Sequence, residues 1–250
     1  NLSKNPQSKP HHGVPHREAS SRFLKSSSVS YFNEASRWKV RNWMNSAMHA
    51  EAEARISQRC PIMRRLIKAH GPCGLVPQKR SPYEALISAV AHQQLHANAA
   101  EAILRRFKAL FPKARFPKPE QVLNATDEAL RGCGFSTGKM LAIRDIAAKT
   151  LSGQIPSRAA ALKLDDDELI ARLVEVRGVG RWTVEMLLIF TLGRPDVFPS
   201  DDYGVRNGWR IAKKLDEMPK PKEFRLLAER WQPHRTLAAW YLWRAADAAK

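Results

Sequence analysis

The stretch from Leu173 to Leu192 constrains the chain more than any other. Leu169, Ile170, Leu173 and Val174 precede Arg177-Gly178-Val179-Gly180, and Val184, Leu187, Leu188 and Thr191 follow it, at i, i+3, i+4 spacing. That pattern is a helix, a tight glycine turn and a second helix. Gly178 can take the positive φ that ends the first helix, and Gly180 leaves the backbone bare where the second opens. Amides at a helix N-terminus attract an anion. Arg181 stands beside them, in a chain with 42 Lys and Arg against 24 Asp and Glu, a net charge of +18 and a pI near 10.3. The expected anion is therefore a nucleic-acid phosphate, gripped without reading sequence. An ordinary αα-hairpin whose glycines only cap is the alternative.

Downstream, Gly193-Arg194-Pro195-Asp196 breaks the second helix. Residues 197–206, which include Pro199, Ser200, Asp201, Asp202 and Tyr203, read as the start of another, with Ser200 as N-cap and acids in the first turn. Taken alone, Asp201 and Asp202 read as capping residues. Their distance from the hairpin adds information. Glycine hairpin, helix, break and Pro-x-Asp-Asp-Tyr resembles the helix-hairpin-helix DNA glycosylases. Residues 177–183, 197–203 and 229–236, with Trp240 and Trp243, are similar to the 3-methyladenine DNA glycosylase II branch, which acts on alkylated bases. The resemblance covers roughly residues 55 to 250.

The resemblance implies an all-α, two-lobed glycosylase domain over 50–250. One lobe, 78–194, would carry the hairpin, and the other, 50–77 with 195–250, the catalytic aspartate in the cleft between them. It makes Asp202 catalytic and Asp201 its capping neighbour. It puts Trp182, Tyr203 and Trp243 at or beside base-stacking positions, with Met186 where some relatives have a further aromatic. Arg177, Gly178, Val179, Gly180, Arg181 and Thr183 would meet the DNA backbone. Bifunctional relatives place a nucleophilic lysine at the position of Trp182, so a monofunctional enzyme is implied. The implied partner is double-stranded DNA containing alkylated bases, met by a monomer. No cofactor or metal is required, and there is room for a monovalent cation at the hairpin backbone. A hairpin DNA-binding module without chemistry, and an oxidised-base glycosylase with lyase activity, are the competing readings.

The chemistry suits these residues. Breaking an N-glycosidic bond builds positive charge on the deoxyribose, and a carboxylate in a water-poor cleft stabilises that charge and orients a water. A helix N-terminus should keep Asp202 ionised for the purpose. Aromatic faces favour a cationic alkylated base over a neutral one.

Cys60, Cys73 and Cys133 are few and widely spaced, which suggests reduced thiols in an intracellular protein, nucleoid-associated in a bacterium or nuclear in a eukaryote. No cysteine follows Cys133, so the C-terminal four-cysteine iron–sulfur cluster of some relatives cannot form. A membrane is a poor partner, because the longest apolar run, 184–192, is short and interrupted by Glu185. Residues 1–49 read as a disordered basic tail, Ser- and Pro-containing, with Met44 or Met48 able to begin a complete domain.

Two helices, one opened by Pro82 and one over 97–111, flank His92-Gln93-Gln94-Leu95-His96. By itself that turn is a solvated loop. In the resembling family it fills the gap left by a flipped base, which makes Gln94, or Leu95 if the turn is rotated, the DNA wedge. A short helix is expected over 121–130. Beyond it, Arg131-Gly132-x-Gly134 through Met140 and Ile143 echoes 177–189, so Lys139 is a candidate for a second phosphate contact.

Overall fold

The structure, a computed structural model, describes residues 46–249 and contains helices and no strands among them. The basic stretch 1–45 lies outside the described residues. The first helix, α1 (Ser46–Arg59), begins inside the stretch assigned to the tail, and Pro61 opens α2 (Pro61–His70), where a proline costs no hydrogen bond. Among the described residues no helix is long and apolar enough to cross a membrane.

Ser81 and Glu84 form a reciprocal capping box that starts α3 (Pro82–His92), and α4 (Ala97–Ala109) follows the wedge turn. The single helix expected over 121–130 is two: α5 (Pro119–Asn124) and α6 (Asp127–Gly132). Thr126 accepts from the Ala129 amide and caps the second, which breaks the run. Next comes α7 (Thr137–Leu151), packed against α3 and α5, then the single turn α8 (Arg158–Ala161). The hairpin is α9 (Asp166–Val174) and α10 (Arg181–Leu187), which runs on as a π-helical turn, Leu188–Leu192.

After the break come α11 (Tyr203–Lys213), α12 (Pro221–Ala228) and α13 (Arg235–Ala248). The most intimate helix pair is α11 with α13. A Cβ added at Gly208 would stand 1.9 Å from the Leu242 carbonyl oxygen, so only glycine lets the two backbones approach this closely. Tyr241 of α13 reaches back to the start of the chain, its hydroxyl 2.7 Å from Glu53 Oε1 and 2.9 Å from Gly71 O. The N-terminal helices thus pack with the C-terminal ones. The crossing segment 193–202 brings the N-terminus of α11 under the first turn of α10, and the site is at that junction.

Candidate active site and nucleic-acid interface

Asp202, not Ser200, is the N-cap of α11. Its Oδ1 accepts from the Val205 amide at 2.8 Å. The Ser200 hydroxyl is buried and lies 3.4 Å from the Arg225 guanidinium instead, while Asp201 is exposed. The chain leaves the turn two residues later than residue preference suggested, and this puts the capping carboxylate inside the protein, 3% exposed. Two indoles converge on it: Trp243 Nε1 donates to Oδ1 at 2.8 Å and Trp182 Nε1 to Oδ2 at 2.7 Å.

Burial pushes the Asp202 carboxyl above the usual carboxylate range, and the Val205 amide and the two indole N–H groups pull it back. The helix N-terminus alone therefore does not decide its ionisation, as the sequence suggested it would; desolvation is the larger influence. The result is a carboxylate held by fixed donors with little water around it, the setting in which charge acts most strongly on a neighbouring cation.

The aromatic residues separate into different roles. Trp182 is half-buried, so part of its ring remains accessible while its N–H faces Asp202. Trp243 is 3% exposed and tilted against Phe190, with ring centroids 5.5 Å apart. It cannot offer an open stacking face, and serves instead to hold Asp202. Tyr203 is half-buried in the first turn of α11. Met186 is buried and lines, with Thr183, a small void against Ala85, Leu86 and Ala89 of α3, so it belongs to helix packing. Gly204 is a residue the sequence did not flag: a Cβ there would meet Trp243 Cδ1 at 2.8 Å and Asp202 Oδ1 at 3.1 Å. Its only sequence signal is a glycine in a first helical turn, where other residues form helix better.

In the hairpin loop, Arg177, Gly178, Gly180 and Arg181 are exposed. Gly178 has φ +74° and lies close over Ala142 of α7. Val179 turns its side chain into the core, leaving only backbone to a ligand. Thr183, expected on the DNA backbone, is 6% exposed and faces α3, because the third residue of α10 already points inward. Arg181 is paired through Nε with Glu185 Oε1 at 3.0 Å.

The wedge turn is displayed as a tip. Gln94 is exposed at φ +58°, and Leu95 is partly buried against the core. Gln93 Nε2 donates to Gly178 O at 2.8 Å, tying this turn to the hairpin. Lys139 does not extend toward a phosphate. Its ammonium is turned inward onto Ala91 O and Gln93 O, both at 2.8 Å, and the neighbouring glycine turn is occupied by Arg106, whose Nε donates to Cys133 O. Among the described residues no group of three or more His, Cys, Asp or Glu is placed to hold a metal ion.

The model of the HhH-GPD superfamily base excision DNA repair proteins matches residues 87–233. The chain is 47% identical over 172 residues to DNA-3-methyladenine glycosylase 1 of Schizosaccharomyces pombe, covering 69% of this chain and 75% of that protein. It is 39% identical to the alkylbase DNA glycosidase-like protein of the same yeast, over 72% of this chain and 85% of the relative. The solved 3-methyladenine DNA glycosylase of S. pombe, in complex with abasic DNA, superposes with a TM-score of 0.70 at 44% identity, over 78% of this chain and 95% of that one. A DNA-3-methyladenine glycosidase from Bacillus halodurans superposes with a TM-score of 0.72 at 30% identity, over 83% and 93%. With its hairpin, its buried aspartate and an all-helical fold shared with these proteins, the chain belongs to the HhH-GPD superfamily of base excision DNA repair proteins.

Proposed function

We propose that the chain is a monofunctional DNA glycosylase of base excision repair that flips out alkylated purines, of the 3-methyladenine and 7-methylguanine type, and hydrolyses their N-glycosidic bond. The observation that carries this is Asp202, buried at the N-terminus of α11 and held by the indole N–H groups of Trp182 and Trp243. Two lobes, 78–194 and 50–77 with 195–250, meet at this carboxylate. Exposed backbone at Gly178 and Gly180 with Arg177 grips phosphate, and Gln94 enters the stack. A monovalent cation at the hairpin carbonyls would add to the grip without taking part in the chemistry. The enzyme acts on double-stranded DNA as a monomer, in the nucleus or on the nucleoid.

The base departs with the electron pair of the C1′–N bond, and positive charge builds on the sugar. Ionised Asp202 stabilises that charge, and water adds at C1′ with loss of a proton, leaving an abasic site. An N3- or N7-alkylated purine is cationic and already a good leaving group, so one carboxylate suffices. The accessible part of the Trp182 ring, with Tyr203, offers π-density that favours such a cation. A Schiff-base enzyme needs an amine beside the carboxylate, and that place holds the Trp182 indole.

The test is free-base release from methylated duplex DNA by wild type and Asp202→Asn, with strand breaks scored on the same samples without alkali. Release by wild type only, from unbroken strands, is the expected result. Equal release by the variant moves the catalytic role elsewhere, strand cleavage overturns the monofunctional reading, and tight DNA binding without release by either protein makes the chain a binding module.

A further inference from the structure

We propose that Lys139 is the positioning residue that holds the wedge turn in its inserting shape; this rests on the reading of Gln94 as the wedge. The ammonium of Lys139 donates to Ala91 O and Gln93 O, the carbonyls on either side of His92. They lie at the C-terminal end of α3, where a helix has carbonyls left without intrahelical partners. A cation is favoured there by the helix dipole.

The turn that follows needs such support. Gln94 sits in the left-handed region, a conformation that costs a non-glycine residue energy and persists only where neighbours enforce it. Three contacts do so: Lys139 from below, the Leu95 amide on His92 O at 3.2 Å within the turn, and Gln93 Nε2 on Gly178 O from the hairpin. Burial lowers the pKa of the Lys139 ammonium, as expected of a charge whose water has been exchanged for two carbonyls.

The helix that carries Lys139 also seats the hairpin. On α7, Asp145 Oδ2 accepts from the Arg177 amide at 2.7 Å, Lys149 Nζ donates to Glu175 O, and Ala142 lies under Gly178. One helix of 15 residues therefore fixes the separation between the phosphate grip and the wedge. A flipped nucleotide leaves its gap at a set distance from the gripped phosphates, so this separation bears on flipping and not on bond cleavage.

The experiment compares single-turnover excision of 7-methylguanine from two duplexes, one with the lesion paired to cytosine and one with it facing an abasic gap, where there is no pair to break. Wild type, Lys139→Met and Gln94→Ala are each measured. Both variants are expected to slow the paired substrate about tenfold and the unpaired one less than about twofold. If Gln94→Ala shows this selectivity and Lys139→Met does not, whether by slowing both substrates equally or neither, the positioning role is overturned while the wedge stands. If Gln94→Ala lacks it, the wedge assignment fails and the Lys139 role with it. Absence of release by wild type from either duplex overturns the glycosylase reading itself.

Discussion

The indole Nε1 of Trp182 donates to Oδ2 of Asp202 across 2.7 Å, joining the first turn of α10 to the cap of α11. The helix that follows the glycine hairpin thus also supplies a donor to the carboxylate. Removing that donor while keeping an aromatic ring isolates its effect on ionisation.

Trp182→Phe takes away a hydrogen bond to the charged form of Asp202, worth roughly 1.5–3 kcal/mol for a charged acceptor. The carboxyl pKa, already raised by burial, should rise further once the indole donor is gone. On the proposal that ionised Asp202 stabilises the sugar cation, activity is lost from the acid side. The acid limb of the kcat/KM profile should move to higher pH, whatever happens to its plateau. An acid limb that stays in place would show that this hydrogen bond does not tune the group that governs activity, and would count against Asp202 as that group.

Gly204→Ala tests the second indole. The added methyl would stand 2.8 Å from Trp243 Cδ1 and 3.1 Å from Asp202 Oδ1, so the pair must separate. Alanine is also the better helix former by about 1 kcal/mol, which offsets part of the overpacking cost. With Asp202 in the proposed catalytic role, excision should fall by about ten- to a hundredfold, while Tm moves by only a few degrees. Unchanged excision would mean the Trp243 contact is structural.

Much of this was legible in the chain. Apolar spacing around Gly178 and Gly180 gave the hairpin, Pro82 marked a helix start, and the resemblance to the helix-hairpin-helix glycosylases pointed to Asp202 of the two adjacent carboxylates. What could not be read depends on tertiary direction. Ser200 and Asp202 are both good caps, and only the path of the crossing segment decides between them. Trp182, Met186 and Trp243 are alike in sequence as large groups near the site, yet one stays partly open and two are buried. Thr183 and Lys139 turn inward because α3 and the end of α3 lie beneath them. Gly204 and Gly208 look like poor helix formers until the approach of α13 is known.

Gly208→Ala should be the most destabilising of these substitutions. The new methyl would lie 1.9 Å from the Leu242 carbonyl oxygen and 2.6 Å from its carbon, both backbone atoms that cannot rotate away. Relief requires the two helices to part over their whole contact, with Trp209 and Trp243 on either side. A loss exceeding about 3 kcal/mol is expected, at or above the upper end of ordinary overpacking. Urea unfolding checks it, and a midpoint within error of wild type would mean that α11 and α13 pack less closely in solution.

Glu185 should make stability depend on pH in an unusual direction. Its side chain is 7% exposed, and burial, opposed by Arg181, raises its carboxyl from 4.5 to about 7. The folded protein therefore binds this proton over a range where the unfolded chain has released it. Below about pH 4.5 both states are protonated and the group contributes no pH dependence; between there and about pH 7 stability falls as pH rises; above that it levels off. The full span corresponds to about 3 kcal/mol. Glu185→Gln cannot ionise, so its stability should exceed that of wild type by a margin that grows from pH 5 to pH 7, provided the amide keeps its bond from Arg181. The margin is read from urea unfolding of both proteins across that range. A constant difference, or one that shrinks as pH rises, would show that Glu185 titrates normally and that Arg181 holds it ionised throughout.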